Sequence, residues 1–150
     1  MGMNAAIRPA VPDDGAAVLS LAKAFWAEDD MPSTPAQARA LAELVGGSPA
    51  GAIYVIEAGG EAVGYAILTW GYTVEFAGMD AFLDEIYVAP EFRGRGLGSE
   101  AIAVLENSAR ERGCCALHLE VFRDKTAQAR LYRRLGFQAR DSIFMSKPLS

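Results

Sequence analysis

A chain of 150 residues with net charge −5, 51% hydrophobic and 22% charged, carries enough apolar material for one ordinary core, which excludes a disordered polypeptide and leaves no room for two full domains. No run approaches the roughly 18 to 20 apolar residues of a membrane-spanning helix, and Met1-Gly2-Met3-Asn4 lacks a basic flank followed by an apolar run, so a soluble, cytoplasmic protein with no membrane partner is expected. Cys114 and Cys115 are adjacent and His118 is the only histidine, a set that fits neither a disulfide scaffold nor a zinc site of His and Cys; no metal is expected.

In chain order, a short apolar segment at Ala5-Ala6-Ile7 precedes Pro12-Asp13-Asp14, where helix-starting chemistry leads into Val18, Ala22, Phe25 and Trp26 at helical spacing. A polar loop, Glu28 to Ser33, connects this helix to a second, which Thr34-Pro35-Ala36-Gln37 opens with a capping box and Gly46-Gly47 ends. Ala52–Glu57 and Ala62–Trp70 read as two strands, because the intervening Gly59-Gly60 supplies the positive φ angles of a tight hairpin. Gly71 to Ala81 reads as a flexible stretch. It leads to a strand over Phe82–Val88, which Ala89-Pro90 ends because proline cannot continue a paired strand.

Arg93-Gly94-Arg95-Gly96-Leu97-Gly98 follows, and then a helix to about Gly113 with Leu97, Ala101, Val104, Leu105 and Ser108 on one face. Cys115 to Val121 alternates apolar and polar like a further strand, so the order strand, glycine loop, helix, strand predicts a right-handed crossover between parallel strands. A last helix over Thr126–Leu135 closes at Gly136, with Phe137 placed for the contact that accompanies a glycine C-cap. Two short strands are expected around Gln138 and Ile143–Lys147. The architecture so read is α/β: one domain over residues 1–150, with a mixed, mostly antiparallel sheet, a central parallel pair and about four helices.

A glycine loop between a strand and a helix leaves several backbone N–H groups unpaired at the positive end of the helix dipole, where they can cradle phosphate. Arg93 and Arg95 add charge there. The charge along the chain agrees: residues 1–90 hold 12 acidic and 3 basic side chains, net −9, whereas residues 91–150 hold 7 acidic and 11 basic, net +4. An acidic total disfavours nucleic acid as a partner, but a small anion suits the second part. The spacing is not that of a nucleotide P-loop, G-x-x-x-x-G-K-[ST], and a dinucleotide fingerprint would open the first βαβ unit.

Val88-Ala89-Pro90-Glu91-Phe92-Arg93-Gly94-Arg95-Gly96-Leu97-Gly98 resembles the central [QR]-x-x-G-x-[GA] motif of the GNAT superfamily of acetyl-CoA-dependent N-acetyltransferases, and Ala129-Arg130-Leu131-Tyr132-Arg133-Arg134-Leu135-Gly136-Phe137 is similar to its second signature, L-Y-x-x-x-G-F. The resemblance implies acetyl-CoA as cosubstrate, its pyrophosphate on the amides of Arg93, Gly94, Arg95, Gly96, Leu97, Gly98 and Ser99. It also implies a pantetheine arm against the backbone of Ile86 and Val88, with the Val88 N–H a donor to the developing oxyanion. Lys125, seven residues before the tyrosine, stands where many members have a cofactor-contacting asparagine, and its charge can reach a phosphate. Tyr132 matches the tyrosine that protonates the departing thiolate, and a phenol with an ordinary pKa of about 10 holds its proton at neutral pH.

The amine must lose a proton before it attacks the thioester, and a carboxylate is the obvious base. Asp84 and Glu85 interrupt an apolar strand. Strict alternation would send them to opposite faces, with Asp84 on the face of 86 and 88 where the family's bases lie, and Glu85 on the other face holding a basic side chain. Either acid, or a water relay without them, remains open as the base. His118 and Glu120 share a strand face and read as cleft-lining or ordinary sheet residues. Trp70, Tyr72 and Phe76 could wall an acceptor pocket or an interface. Glu28, Asp29, Asp30, Glu75 and Asp80 would favour a small cationic amine. The leading function is transfer of acetyl from acetyl-CoA to a primary amine in a ternary complex, by a protein that dimerises as family members often do. A noncatalytic acyl-CoA sensor and a protein N-terminal or lysine acetyltransferase are the alternatives.

Overall fold

In the computed structural model, which describes residues 4–150, strand β1 (Ala5–Pro9) pairs antiparallel with β2 (Gly51–Ala58), β2 with β3 (Glu61–Thr73), and β3 with β4 (Gly78–Val88). The fifth strand, β5 (Ala116–His118), runs parallel to β4 at the edge of this five-stranded sheet. The chain divides into one compact unit ending at Glu120, which holds the sheet with helices α1 (Gly15–Glu28), α2 (Pro35–Val45) and α3 (Leu97–Glu111), and a second from Val121, which holds α4 (Thr126–Arg134).

In the first unit, helical spacing becomes a core on each face of the sheet. Val18, Ala22 and Trp26 of α1 and Leu41 and Val45 of α2 bury themselves with Ile53, Val55, Tyr65, Ile67 and Tyr87. On the opposite face α3 buries Leu97, Ala101, Ile102, Leu105 and Ala109, and the hydroxyls of Tyr54 and Ser108 tie β2 to this helix. The crossover from β4 through α3 to β5 is the predicted parallel unit. The capping box of α2 forms as its sequence requires: Gln37 N–H donates to Thr34 Oγ1 at 3.2 Å, and Thr34 N–H to Gln37 Oε1 at 2.8 Å.

Several expectations need correction. The stretch Gly71 to Ala81 is no flexible link: β3 continues to Thr73, β4 starts at Gly78, and the turn between them closes with Ala77 N–H on Val74 O at 3.0 Å. Its left-handed residue is Ala77, at φ 63°, so the usual glycine or asparagine signal is missing. The helical pattern from Pro12 starts as a 3-10 turn, Pro12–Asp14, before α1. The strand expected over Cys115–Val121 keeps three residues. No strand forms around Gln138 or Ile143–Lys147, because the second unit offers no neighbouring strand to pair with, and so the parallel pair lies at an edge.

The second unit closes its helix as predicted. Gly136, at φ 100°, donates to Arg133 O at 3.0 Å, Phe137 N–H to Tyr132 O at 3.0 Å, and the Phe137 ring meets the Tyr132 ring edge-on at 5.9 Å. These are the two bonds and the apolar contact of a Schellman closure. No helix among the described residues is long and apolar enough to cross a membrane.

Candidate active site

The site begins where β4 leaves its parallel neighbour. Asp80, Ala81 and Phe82 pair with Ala116, Leu117 and His118, and there β5 ends while β4 continues to Val88. Over residues 83–88 that edge of β4 has no strand partner among the described residues. The opposite edge stays bonded to β3, and the two strands approach closely at Gly64, where a Cβ would strike Tyr87 O. An unpaired edge can take an extended ligand by main-chain bonding.

Beyond Val88 a 3-10 turn, Pro90–Phe92, delivers the chain to the glycine loop. Gly94 and Gly96 take φ 77° and 82°, a left-handed backbone that only glycine adopts without strain, and they aim the loop at the start of α3. No side chain caps this helix. The first intrahelical bond runs from Glu100 N–H to Gly96 O at 3.0 Å, so the amides of Leu97, Gly98 and Ser99 precede the helix ladder and face outward. An uncapped fifteen-residue helix offers an anion both N–H donors and its dipole.

The two loop arginines are not equivalent. Arg93 donates through Nε to Val88 O at 2.8 Å and through one terminal nitrogen to both Glu28 oxygens at 2.9 Å, and its guanidinium lies 5.4 Å from the Tyr87 ring centre. It ties the end of α1 to the end of β4. Arg95 donates to Glu91 O at 3.1 Å and stacks over Phe92.

The carboxylates correct the alternation argument. Ile67 pairs with Glu85 but Leu68 with Leu83, so Asp84 is an extra residue, a β-bulge. The bulge resets the phase of the strand, and Asp84 joins Glu85 and Tyr87 on the α1 face instead of sharing the face of Ile86 and Val88. Nor does Glu85 hold a basic side chain. Its Oε2 accepts Trp26 Nε1–H at 2.9 Å and its Oε1 the Tyr65 hydroxyl at 2.6 Å. Burial raises the Glu85 pKa, the bonds from Tyr65 and Trp26 pull it down, and the neighbouring Asp84 charge pushes it up again. Burial, with the charge of Glu85, keeps the Tyr65 phenol firmly protonated. Asp84 reaches solvent, makes no hydrogen bond or ion pair among the described residues that would commit it elsewhere, and has its pKa raised by the apolar strand around it. One acid is therefore tethered and the other is available.

Sequence reasoning missed the partners of Glu85. The signal was present, because an indole N–H on a core-facing helix must find an acceptor and the only acids in the apolar part of β4 are at 84 and 85. It also missed that Asp80 Oδ2 lies 3.1 Å from His118 Nε2. Of the aromatic residues near the hairpin, Trp70 is covered by Arg112 at 4.3 Å, Phe76 meets His118, and Tyr72 is 73% exposed. In the second unit Lys125 stands at the N-cap of α4, and burial raises the Tyr132 phenol above its ordinary value, so it too holds its proton.

The family model described as the acetyltransferase (GNAT) family matches residues 17–137, most of the chain. The chain belongs to this family. Among curated relatives, the thialysine N-epsilon-acetyltransferase of Bos taurus is 37% identical over 76 residues, 51% of this chain and 44% of that protein, so the match covers less than half of the relative's length. The aminoglycoside N(6')-acetyltransferase type 1 of Klebsiella aerogenes is 28% identical over 142 residues, 91% of each protein. Among solved structures, an integron cassette protein from the mobile metagenome of Cole Harbour Salt Marsh superposes with a TM-score of 0.83 at 30% identity, covering 96% of this chain and 90% of its own. An aminoglycoside N-acetyltransferase, AAC(6')-Iy, solved with coenzyme A, has a TM-score of 0.84 at 22% identity over 100% of this GNAT chain and 98% of its own, a likeness of fold.

Proposed function

We propose that this GNAT protein transfers acetyl from acetyl-CoA to the primary amine of a small cationic molecule. The observation that carries the reading is the uncapped start of α3, turned outward by two left-handed glycines directly after the strand whose edge is left unpaired. In this reading the amides of Gly94 through Ser99 and the charge of Arg95 receive the diphosphate, Lys125 reaches a phosphate, and the backbone of Ile86 and Val88 receives the pantetheine arm. Arg93 anchors the loop instead: its guanidinium holds Glu28 and Val88 O, and its own N–H, which the motif would offer to the diphosphate, is donated to Pro90 O at 3.2 Å. The Val88 N–H points donor density at the thioester oxygen, where negative charge develops.

Asp84 takes the proton of the ammonium group, directly or through water, because it is the carboxylate not already engaged. Glu85 is a positioning residue: by holding Trp26 and Tyr65 it fixes α1 against the strand that carries Asp84. Tyr132 protonates the departing thiolate. Support for a cationic acceptor comes from Asp29, Asp30 and Asp84 and from the substrates named for two relatives, thialysine and aminoglycosides. Cytoplasmic residence and a homodimer belong to the same proposal.

The test is free-thiol release from acetyl-CoA with a panel of amines, among them thialysine, an aminoglycoside and a polyamine, beside a control without acceptor. Thiol release that depends on an amine, with an acetylated product seen by mass spectrometry, is the expected result. Acetyl-CoA binding without turnover of any amine would instead leave an acyl-CoA sensor.

A further inference from the structure

We propose that Glu28 is a positioning residue for both substrates: through Arg93 it fastens the glycine loop to the last turn of α1, so that acetyl-CoA and the amine bind with positive cooperativity. The inference rests on the acetyl-transfer reading above and adds to it a residue outside both family motifs.

The last turn of α1 lies along β4 from the base to the loop. Trp26 Nε1–H donates to Glu85 Oε2 at 2.9 Å, beside the available acid Asp84. Next to it the Phe25 ring packs against the Tyr87 ring at 5.5 Å. At the end of the helix both Glu28 oxygens accept one terminal nitrogen of Arg93 at 2.9 Å. The turn is closed behind these side chains by Met31 N–H on Trp26 O at 2.8 Å. A single bonded helical turn therefore reaches from the strand that carries the base to the loop that receives the diphosphate, and a ligand that fixes one end fixes the other.

The Arg93 end is equally specific. Ala89 N–H bonds Val63 O at 2.8 Å, toward β3, so by antiparallel alternation the N–H and C=O of Val88 point to the open edge. Arg93 Nε–H takes that carbonyl at 2.8 Å, and the guanidinium rests 5.4 Å from the centre of the Tyr87 ring. A planar fork can hold a carbonyl and a carboxylate in one geometry, which a lysine ammonium on its flexible stem does less well. The donors of Arg93 are thus turned toward helix and strand, and its charge is met by a carboxylate of the chain itself.

The charge of Glu28 makes the inference decidable. A carboxylate near an anion site repels the anion, so on charge alone its removal would tighten coenzyme A binding and would free Arg93 for a phosphate. A positioning role has the opposite sign, because without Glu28 the loop amides lose the geometry that the diphosphate needs. The Arg93 and Glu28 side chains are 47% and 40% exposed, so solvent screens the pair and the expected effect is several-fold, not a hundredfold.

The experiment uses the full chain. Glu28→Gln is expected to weaken coenzyme A binding about three- to fivefold by calorimetry, and Arg93→Lys, which keeps the charge without the fork, should weaken it in the same direction. In an Arg93→Ala background Glu28→Gln should weaken binding no further, the non-additivity of residues that act through one another. With the panel amine that releases most thiol present at saturation, coenzyme A should bind the wild-type chain several-fold more tightly, and in Glu28→Gln that ratio should fall to about one. A merely structural role would lower both affinities and keep the ratio. Coenzyme A that binds Glu28→Gln as tightly as the parent chain or more so, additive losses in the double variant, a ratio of one in the wild-type chain, or a ratio that the substitution leaves unchanged overturns the proposal while leaving acetyl transfer intact. Absence of thiol release from the wild-type chain with every amine overturns the acetyl-transfer reading, and the coenzyme A affinity of Glu28→Gln then decides alone whether Glu28 positions the loop.

Discussion

Helices α2 and α3 solve the same backbone problem in opposite ways. At the start of α2, Thr34 and Gln37 exchange two hydrogen bonds and leave little for anything outside to satisfy. The 3-10 turn before α1 is likewise closed, by the Asp14 carboxylate accepting Val11 N–H at 2.7 Å while it clasps Arg8 at 2.8 Å. At the start of α3 the N-cap is Gly96, with no side chain to offer. Self-satisfied ends stabilise the fold alone. An end left open gives up that stabilisation, about 1 kcal/mol for a typical cap, and keeps its donors for a ligand.

Substitutions that exchange the two solutions should sharpen this contrast. The largest effect is expected from Gly96→Asp, which sets a carboxylate and a strained left-handed residue where the diphosphate would lie; affinity for coenzyme A, read by calorimetry, should fall on the order of a hundredfold. An affinity that survives would mean that the open end of α3 is not the anion site. Next, Tyr132→Phe should reduce kcat by about ten- to a hundredfold with the dissociation constant of acetyl-CoA nearly unchanged, which separates proton donation from binding.

The closed ends should show the reverse, stability without ligand. Arg8 and Val11 hold the Asp14 pKa at about 2, below its ordinary 3.8, so the contribution is fully present above 3.8 and is lost as pH falls through about 2. Asp14→Asn should therefore unfold earlier than the parent chain in a denaturant series at neutral pH, the two midpoints converging toward pH 2, with coenzyme A affinity untouched at neutral pH. The smallest effect belongs to Thr34→Ala, a loss of about 1 kcal/mol by denaturant unfolding with no change in cofactor affinity.

The same contrast explains what could be read from the chain. Capping boxes, glycine pairs and the Schellman closure at Gly136 are local chemistry, each written within about six residues, and each forms as its sequence requires. The glycine loop is legible for the same reason. The bulge at Asp84 is not local: it depends on β3 and β4 counting differently across their register, which no alternation pattern in β4 alone reveals. That is why the two acids, which look like residues of opposite faces, share one. Pairings that join distant segments were equally hidden, Trp26 with Glu85 across 59 positions and Arg93 with Glu28 across 65. The turn at Val74–Ala77 escaped because alanine holds the left-handed position.

The extra residue at position 84 also sets a rule for how this strand can change. Shortening β4 by one residue there would bring its two halves back into step and could leave the sheet well formed, yet it would remove the available acid and leave only the tethered one. A deletion silent to folding would then be decisive for chemistry, so the length of this strand, as much as its composition, is something that selection for activity must guard.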